Sequence, residues 1–227
     1  MIYKILQIFT LVFLAAQWAS ADVYVVIYAT FNGRTGHAGI AVDKYAVKVR
    51  DCRECPGAVA YDTVKTGNLL YYDLWPKEDQ FDMQRLFEQI PATFFRLPAS
   101  SAELPITVNT LLLKGIPHEE GYPCDALLKI KTTYEADKEL EAFLNGFIDR
   151  QNSFNALTFN CADFVERAVE HLLCTEVNAD EWVFPKTFAT TPNKLYKELA
   201  ALPEVIIIKN PGEKVAGSFW KERIIKR

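Results

Sequence analysis

The sequence has no excess of basic residues and no long block of one charge. Its 227 residues include 25 lysines and arginines against 29 aspartates and glutamates, which gives a net charge of −4. Nucleic-acid binding proteins usually carry a basic surface, so the composition argues against a nucleic-acid partner. One short basic group closes the chain and is interpreted as a solvated terminus: Lys221, Arg223, Lys226 and Arg227.

Internal repeats, Ser/Gly-rich linkers and low-complexity stretches are also absent. Half of the residues are hydrophobic, 24% are charged and 13% are aromatic. Disordered chains have too few apolar residues for such a profile. The composition therefore indicates a folded globular protein.

Only the amino terminus contains a long apolar run. Residues 1–21 begin with one charge, Lys4, continue through an apolar stretch, and end in the small residues of Ala19-Ser20-Ala21. This order is that of an export signal with its cleavage site. The alternative, a membrane anchor, is less favoured because a spanning helix needs about 20 apolar residues.

We therefore expect cleavage after Ala21 and a periplasmic or secreted location. The remaining residues, 22–227, form a single domain of a length that supports a real core. No later apolar stretch is long enough to cross a membrane.

The chain contains five cysteines, an odd number. Disulfides persist outside the cytoplasm, and an odd count leaves at least one thiol free or paired between chains. Cys52-Arg-Glu-Cys55 resembles half of a zinc or redox site. Because no second pair of ligands follows, it is interpreted as a local disulfide or two thiols in a hairpin loop. Cys124 and Cys174 are candidates for a second disulfide, a connectivity that the sequence leaves open.

Strand patterns dominate the first third of the domain. Residues 23–28 are a continuous β-branched and aromatic run, typical of a central strand. Residues 37–42 form a second strand, which residues 45–49 either extend or pair with. A further β-rich stretch covers residues 59–75, with a turn predicted at Gly67-Asn68.

Helical periodicity dominates the later part of the chain. Apolar residues at i, i+3, i+4 and i+7 predict a helix over residues 83–90, closed by Pro91. Two longer apolar faces lie in residues 140–148 and 164–172. Strands first and helices later predict an α+β fold, with an antiparallel sheet packed against helices.

Local signals place further boundaries. Thr132 with Glu135 forms a capping-box pattern ahead of a helix. Thr191-Pro192 is typical of a cap followed by proline at the first helical position. Residues 127–130 are predicted as a strand, and residues 205–208 as a buried strand.

The segment around Cys161 has the most specific chemistry. Asn160 is predicted to cap a helix, and Asp163 belongs in its first turn, so Cys161 is the first helical residue. The positive end of the helix dipole stabilises a thiolate there, and the thiolate is the nucleophilic form of cysteine. Taken alone, Cys161 is more simply a small buried residue.

A thiol nucleophile needs a base, and three histidines are candidates. His37 opens a strand, so sheet and helix can bring it against Cys161. His118 is predicted in an exposed loop. His171 lies ten residues along the same helix, about 15 Å from the thiol. His37 is therefore the predicted base, and the other two are interpreted as structural or surface residues.

A third polar group is expected to orient the imidazole. Asp73 is the first choice because it lies near the end of a strand that could pair with the His37 strand, and Asp62 is the reserve. Tyr72 and Trp75 either wall a substrate cleft or fill the core. Asn160 is a candidate oxyanion donor besides its capping role, while the nucleophile's own backbone N–H is a more general donor.

The motifs at these residues resemble one known superfamily. Residues 36–42, Gly-His-Ala-Gly-Ile-Ala-Val, followed by residues 160–165, Asn-Cys-Ala-Asp-Phe-Val, resemble the circularly permuted NlpC-type papain-like cysteine hydrolases. YiiX-like hydrolases and lecithin:retinol acyltransferase-like proteins belong to this superfamily. The resemblance covers about residues 23–173, and the CxxC loop and residues 95–131 are not part of its pattern.

The resemblance implies a permuted papain-like fold and thiol chemistry on an acyl group. Cys161 would attack an amide or ester carbonyl, and His37 would take the thiol proton and then protonate the leaving group. Asp73 falls at the position of the second polar group of the pattern.

A cysteine peptidase or amidase acting on cell-wall peptides of the envelope is the expected function. A lipid acyltransferase or thioesterase on the same fold is the alternative, and a non-catalytic binding module is a third reading. The substrate would be a peptide or a lipid acyl group, and the chemistry requires no cofactor and no metal.

Overall fold

A computed structural model describes residues 21–51, 59–77, 85–100, 103–116, 122–150, 153–184 and 186–218. Within these residues the strands are β1 (Ala21–Tyr28), β2 (His37–Asp51), β3 (Val59–Pro76), β4 (Ile90–Leu97), β5 (Ala126–Thr132), β6 (Ser153–Phe154), β7 (Asp180–Phe184), β8 (Thr187–Thr190) and β9 (Val205–Lys209). The helices are α1 (Val108–Leu113), α2 (Tyr134–Arg150), α3 (Cys161–Leu173) and α4 (Pro192–Ala200), followed by a 3-10 turn (Gly212–Val215).

Seven strands form one sheet in the order β6-β4-β3-β2-β1-β5-β9, and every neighbouring pair is antiparallel. Strands β7 and β8 form a separate hairpin. A large antiparallel sheet with four helices confirms the predicted α+β class.

The sheet has a hydrophobic cluster on each face, which explains the continuous apolar run of β1. Val23, Val25 and Ile27 face a large cluster that contains the apolar sides of α2, α3 and α4. Tyr24 and Val26 face the opposite cluster, which is covered by α1. Successive side chains of a strand point to opposite faces, so a strand covered on both sides is apolar throughout.

The helices bury the faces that periodicity predicted. Leu140 and Leu144 of α2 are fully buried, and Phe164, Val165 and Ala168 of α3 are at most 1% exposed. Helix α4 begins as predicted, since the Thr191 side chain accepts a hydrogen bond from the backbone of Lys194, with proline at the start of the helix.

Strands β2 and β3 are longer than predicted. Residues 45–49 extend β2, and β3 runs through Gly67 without the predicted turn. Gly67 has a φ of +80°, and the pairing register shifts opposite it, between Asp43 and Tyr45. The extra residues of β3 are therefore absorbed as a bulge, which bends a strand without ending it.

The helix predicted over residues 83–90 is wrong where the structure describes it. Residues 85–89 form a short turn, and Ile90 starts strand β4, where it pairs with Phe154. Pro91 lies within β4 instead of closing a helix. The strand pairing outweighs a helical period that covers only two turns.

Two further boundaries differ from prediction. Helix α2 is capped by Thr133, whose hydroxyl accepts from the Ala136 backbone at 3.2 Å, while Thr132 ends β5 and donates to Asp137 at 2.5 Å. The strand at residues 205–208 is an edge strand, and its three isoleucines are 39–42% exposed. It is therefore not the buried strand that its composition predicts.

The proposed disulfide between Cys124 and Cys174 is wrong. Cys124 is buried, Cys174 is exposed, and both are free thiols, as is Cys161. Cys52 and Cys55 lie outside the described residues, as do residues 1–20 of the predicted export signal and residues 219–227 of the basic tail. In the described parts of the chain, no helix is both long and apolar enough to cross a membrane.

Candidate active site

Cys161 is the first residue of helix α3, as the sequence predicts. The Asn160 side-chain oxygen accepts from the backbone N–H groups of Ala162 and Asp163, at 2.7 and 3.3 Å. The Asp163 carboxylate in turn accepts from the Asn160 backbone at 2.8 Å, which completes a capping box. The cap directs the positive end of the helix toward the thiol.

His37 is held at the start of β2 by a tight loop. The Thr30 hydroxyl donates to the Thr35 carbonyl at 2.6 Å. Gly36 has a φ of +80°, and a Cβ there would lie 2.7 Å from the Thr30 hydroxyl oxygen. Only glycine fits both the backbone conformation and the space. The loop therefore requires glycine at the position before His37.

Asp73 lies beside His37 because β2 and β3 pair in the expected antiparallel manner. The register places Gly39 opposite Asp73. His37 Nε2 and Asp73 Oδ2 are 2.9 Å apart, and the two side chains are 4% and 0% exposed. Asp73 therefore contacts the imidazole, at the position expected of the orienting group. The reserve, Asp62, instead forms an exposed ion pair with Arg50 at 2.5 Å.

Tyr71 and Trp75 complete the support of Asp73. They lie two residues before and after it, so all three share one face of β3. The Tyr71 hydroxyl and the Trp75 Nε1 both donate to Asp73 Oδ2 at 3.0 Å. Burial, and then the charge of Asp73, raise the pKa of Tyr71 well above its usual value, which keeps its hydroxyl a donor. Tyr71 was missed from the sequence, although the i−2 spacing to Asp73 was a usable signal.

Cys161 and His37 line the same cleft, and the thiol lies close enough to the imidazole to influence its pKa. Because Nε2 faces Asp73, Nδ1 is the nitrogen left for the thiol. Burial lowers the pKa of His37, but the interactions with Cys161 and Asp73 outweigh burial and raise that pKa to about 10. The arrangement therefore favours the charged imidazolium form of His37 beside Asp73.

A cleft of about 180 Å³ lies beside the thiol and the imidazole. Its walls are mostly apolar and come from the end of β3, the turn before β4, the segment before α3, the β7–β8 hairpin and the start of α4. The apolar lining residues are Leu74, Trp75, Pro76, Leu86, Phe154, Ala156, Leu157, Val183, Ala189 and Pro192. Trp75 is thus a cleft residue, as one of its two interpretations predicted. Its ring also covers the imidazole, with 4.2 Å between ring centroids.

Tyr72 fills the core and does not line this cleft. It lies on the opposite face of β3 from Asp73 and is fully buried among the residues beneath the helices. Its hydroxyl contacts Arg96 at 3.0 Å and Asn145 at 3.4 Å. Tyr72 therefore does not have the cleft position that was predicted for it, because adjacent residues of a strand point to opposite faces of the sheet.

Asn160 borders the cleft but has no donor to offer an oxyanion. Its Nδ2 donates to the carbonyls of Ala156 and Thr190, both at 3.0 Å. An amide nitrogen has two hydrogens, so both are used. The backbone N–H of Cys161, which the side-chain cap does not take, is the better candidate donor.

His171 does not line this cleft. His171 stacks on Phe143, with 4.1 Å between ring centroids. His118 lies outside the described residues. No group of three or more His, Cys, Asp or Glu side chains within the described residues is arranged to hold a metal ion.

Comparisons of the chain with protein-family models, curated proteins and solved structures gave no match. The assignment of function therefore rests on the geometry of the site and on the motifs of the sequence.

Proposed function

We propose that this chain is an exported cysteine hydrolase of the permuted papain-like type that cleaves an amide bond through Cys161, His37 and Asp73. The observation that supports the proposal is the placement of a thiol at a helix start in the same cleft as a buried imidazole. A carboxylate orients that imidazole from its other side. Nucleophile, base and orienting group are the parts that thiol catalysis requires.

The proposed reaction begins with the Cys161 thiolate and the His37 imidazolium. The sulfur adds to the substrate carbonyl carbon, and the backbone N–H of Cys161 donates to the resulting oxyanion. His37 gives its proton to the leaving amine as the C–N bond breaks, which leaves a thioester on Cys161. Water, deprotonated by His37, then attacks the thioester carbonyl, and the carboxylic acid and the thiol are released.

Asp73 acts in this scheme by holding the imidazole in one orientation. Asp73 Oδ2 accepts hydrogen bonds from Tyr71, Trp75 and His37, so the carboxylate cannot rotate without breaking several of them. An imidazole fixed in this way keeps Nδ1 toward the sulfur throughout the reaction.

Cell-wall peptides are the proposed substrate class. The motif resemblance and the export signal support this choice, because an exported amidase meets peptides of the envelope. Export of the chain with removal of residues 1–21 is part of the proposal.

A lipid acyltransferase or thioesterase is the second candidate, and the apolar walls of the cleft favour it. Leu74, Leu86, Phe154 and Val183 all face the space beside the thiol. An acyl chain would bury apolar surface against these residues. The same covalent thioester would form, but an ester carbonyl would be the site of attack.

A thiol-reactive probe tests the pair directly. We expect an iodoacetamide probe at neutral pH to label Cys161 faster than Cys174, which is exposed and serves as an internal reference. His37→Ala should abolish the preference, while the matched control His171→Ala should keep it. Unchanged labelling of Cys161 in His37→Ala would reject the catalytic pair and leave a non-catalytic module.

Intact mass spectrometry separates the two substrate classes. The protein would be incubated with peptidoglycan fragments or with phospholipid vesicles. Cys161→Ser, which lacks the nucleophilic thiol, would be the control. Peptide cleavage lost in Cys161→Ser supports the amidase. A fatty-acyl adduct on Cys161, without peptide cleavage, supports the lipid enzyme and rejects the amidase.

A further inference from the structure

The backbone nitrogen of Asp22 lies against a buried carboxylate. It donates to Asp43 Oδ2 at 2.8 Å, and the Asp22 and Asp43 residues are 6% and 5% exposed. Asp22 directly follows Ala19-Ser20-Ala21, the small-residue motif of the predicted cleavage site. The nitrogen that cleavage after Ala21 would convert into an amino terminus is thus already placed on an acidic partner.

This position belongs to a cluster of charges between β1, β2, β3 and β5. Lys65 Nζ lies 2.6 Å from Asp43 Oδ2 and 3.1 Å from Asp22 Oδ2. Lys129 Nζ lies 2.8 Å from Asp22 Oδ1. Asp137, 1% exposed, is close enough to interact with Asp43 and Lys65. Among these described residues, three carboxylates face two ammonium groups.

Three pKa values in the cluster are raised, first by burial and then by neighbouring carboxylates, while Lys129 and Lys65 lower the pKa of Asp22 against the effect of burial. Burial, with a contribution from the charge of Asp22, raises the pKa of Asp43. Burial and the charge of Asp43 raise the pKa of Asp137 to about 6. Burial and the charges of Asp22 and Asp43 raise the pKa of Tyr24 to about 12. A further cation at this place would relieve the repulsion among the carboxylates.

We propose that the peptide bond between Ala21 and Asp22 is hydrolysed, and that the new α-ammonium group of Asp22 forms a buried ion pair with Asp43. A signal peptidase adds water across the bond, so that the carboxylate leaves with residues 1–21 and the nitrogen of Asp22 takes up a proton. The cluster then contains three ammonium groups and three carboxylates. This inference rests on the export part of the proposed function and not on its catalytic part.

The timing of cleavage follows from burial. Ala21 is fully buried and pairs with Thr132, so the bond is inaccessible once β1 is in the sheet. Processing therefore precedes folding, as it does for a chain cleaved during export. The ion pair then forms as β1 docks between β2 and β5, and it fixes the first residue of the central strand to Asp43, beside the bulge in β3.

The test starts with the full-length chain expressed with its own export signal. Intact mass and amino-terminal sequencing of the exported protein should identify Asp22 as the first residue. The α-amine is then methylated reductively with ¹³C-formaldehyde, and its NMR signal is titrated in the folded protein and in urea. In urea the pKa of the amine should be about 7.7–8.0, and in the folded protein it should be higher by at least about one pH unit.

Variants show which carboxylate is responsible. Asp43→Asn should remove most of the upward shift, and the matched control Asp62→Asn, on the exposed part of β3, should retain it. If Asp43→Asn does not fold, the comparison of folded and urea-unfolded wild-type protein still decides. A different amino-terminal residue, or equal titration in the two states, overturns the inference. Loss of thiol labelling with the shift retained would reject the catalytic proposal alone.

Discussion

The Tyr71 ring on β3 fills the space that a side chain at Gly39 on β2 would need. A Cβ on residue 39 would lie 2.0 Å from the Tyr71 hydroxyl oxygen and 2.4 Å from the ring carbon that carries it. The absent side chain of Gly39 therefore lets the Tyr71 ring reach Asp73, the residue that orients His37. A glycine two residues after the base thus supports the candidate site without contributing a side chain to it.

Substitution of this glycine should damage the site. Gly39→Ala forces the Tyr71 ring away and breaks its hydrogen bond to Asp73, at a cost of about 1–3 kcal/mol for an overpacked core. Probe labelling of Cys161 should fall at least about tenfold, because a misplaced imidazole no longer supports the thiolate. Urea unfolding and labelling rates measure the two effects.

The matched control is Gly146→Ala in helix α2. A Cβ there meets only the Arg150 side chain, at 3.6 Å. Alanine should stabilise the helix by up to about 1 kcal/mol and leave labelling unchanged. If Gly39→Ala behaves like Gly146→Ala, the proposed support of Asp73 by Tyr71 is incorrect.

Removal of the Tyr71 hydroxyl tests the same hydrogen bond without adding atoms. Tyr71→Phe leaves the ring in place and deletes one donor to Asp73, so we expect a loss of about 1–2 kcal/mol in unfolding free energy. Labelling of Cys161 should slow several-fold. Tyr61→Phe, at a residue that is 69% exposed, should change neither quantity. Equal labelling in the two variants would contradict a positioning role for Tyr71.

The charge of His37 predicts a specific pH dependence. Its pKa is raised from 6.5 to about 10 by Cys161 and Asp73, against the opposing effect of burial. A raised pKa means that the folded protein holds the proton more tightly than the unfolded chain. This contribution to stability is therefore complete below pH 6.5 and is lost as the pH rises toward 10.

NMR of the ¹⁵N-labelled imidazole measures this directly. The His37 signals should remain those of the charged ring between pH 6 and 8, and urea unfolding free energies should decline from pH 7 to 10. Cys161→Ser removes the sulfur that raises the pKa of His37 and should therefore lower that pKa. A His37 ring that titrates near 6.5 in the folded wild-type protein is the contrary result.

Asn193 should control the loop that leads to His37. Its Oδ1 accepts from the Thr30 backbone at 2.8 Å, and its Nδ2 donates to the Thr30 carbonyl at 2.9 Å. The Thr30 hydroxyl in turn donates a hydrogen bond to the Thr35 carbonyl. Asn193→Ala leaves two buried backbone groups unpaired, so we expect a loss of about 1–3 kcal/mol and slower labelling of Cys161.

Asn145→Ala is the control for Asn193→Ala, since within the described residues the Asn145 amide accepts one long hydrogen bond, from the Tyr72 hydroxyl at 3.4 Å. It should alter stability by less than about 1 kcal/mol. Melting curves and labelling rates compare the two variants. A mild effect of Asn193→Ala on both would show that the loop is held by other contacts.

Much of the candidate site was predictable because its signals are local. Asn160, Cys161 and Asp163 follow the order of a helix start, and the capping hydrogen bonds connect neighbours in the sequence. The pairing of β2 with β3 followed from two adjacent strand patterns, and this pairing placed Asp73 beside His37.

Other features depend on partners distant in sequence. The period over residues 83–90 favoured a helix, but pairing of Ile90 with Phe154 made part of it a strand. Asn160 had a suitable side chain for an oxyanion, but the Thr190 and Ala156 carbonyls take its donors. Tyr72 and Trp75 differ in role because adjacent strand residues face opposite sides of the sheet.

By itself, the sequence determined the α+β class, the main buried faces, the start of α3 and the pairing of strands that brings Asp73 to His37. Hydrophobic periodicity and helix caps are interactions between near neighbours, so they can be read along the chain. Only the tertiary structure decided that the thiol of Cys161 meets His37, that Tyr71 fits over Gly39, and which residues wall the cleft. Those contacts join segments that lie far apart in the chain, and their geometry is set by how sheet and helices pack together.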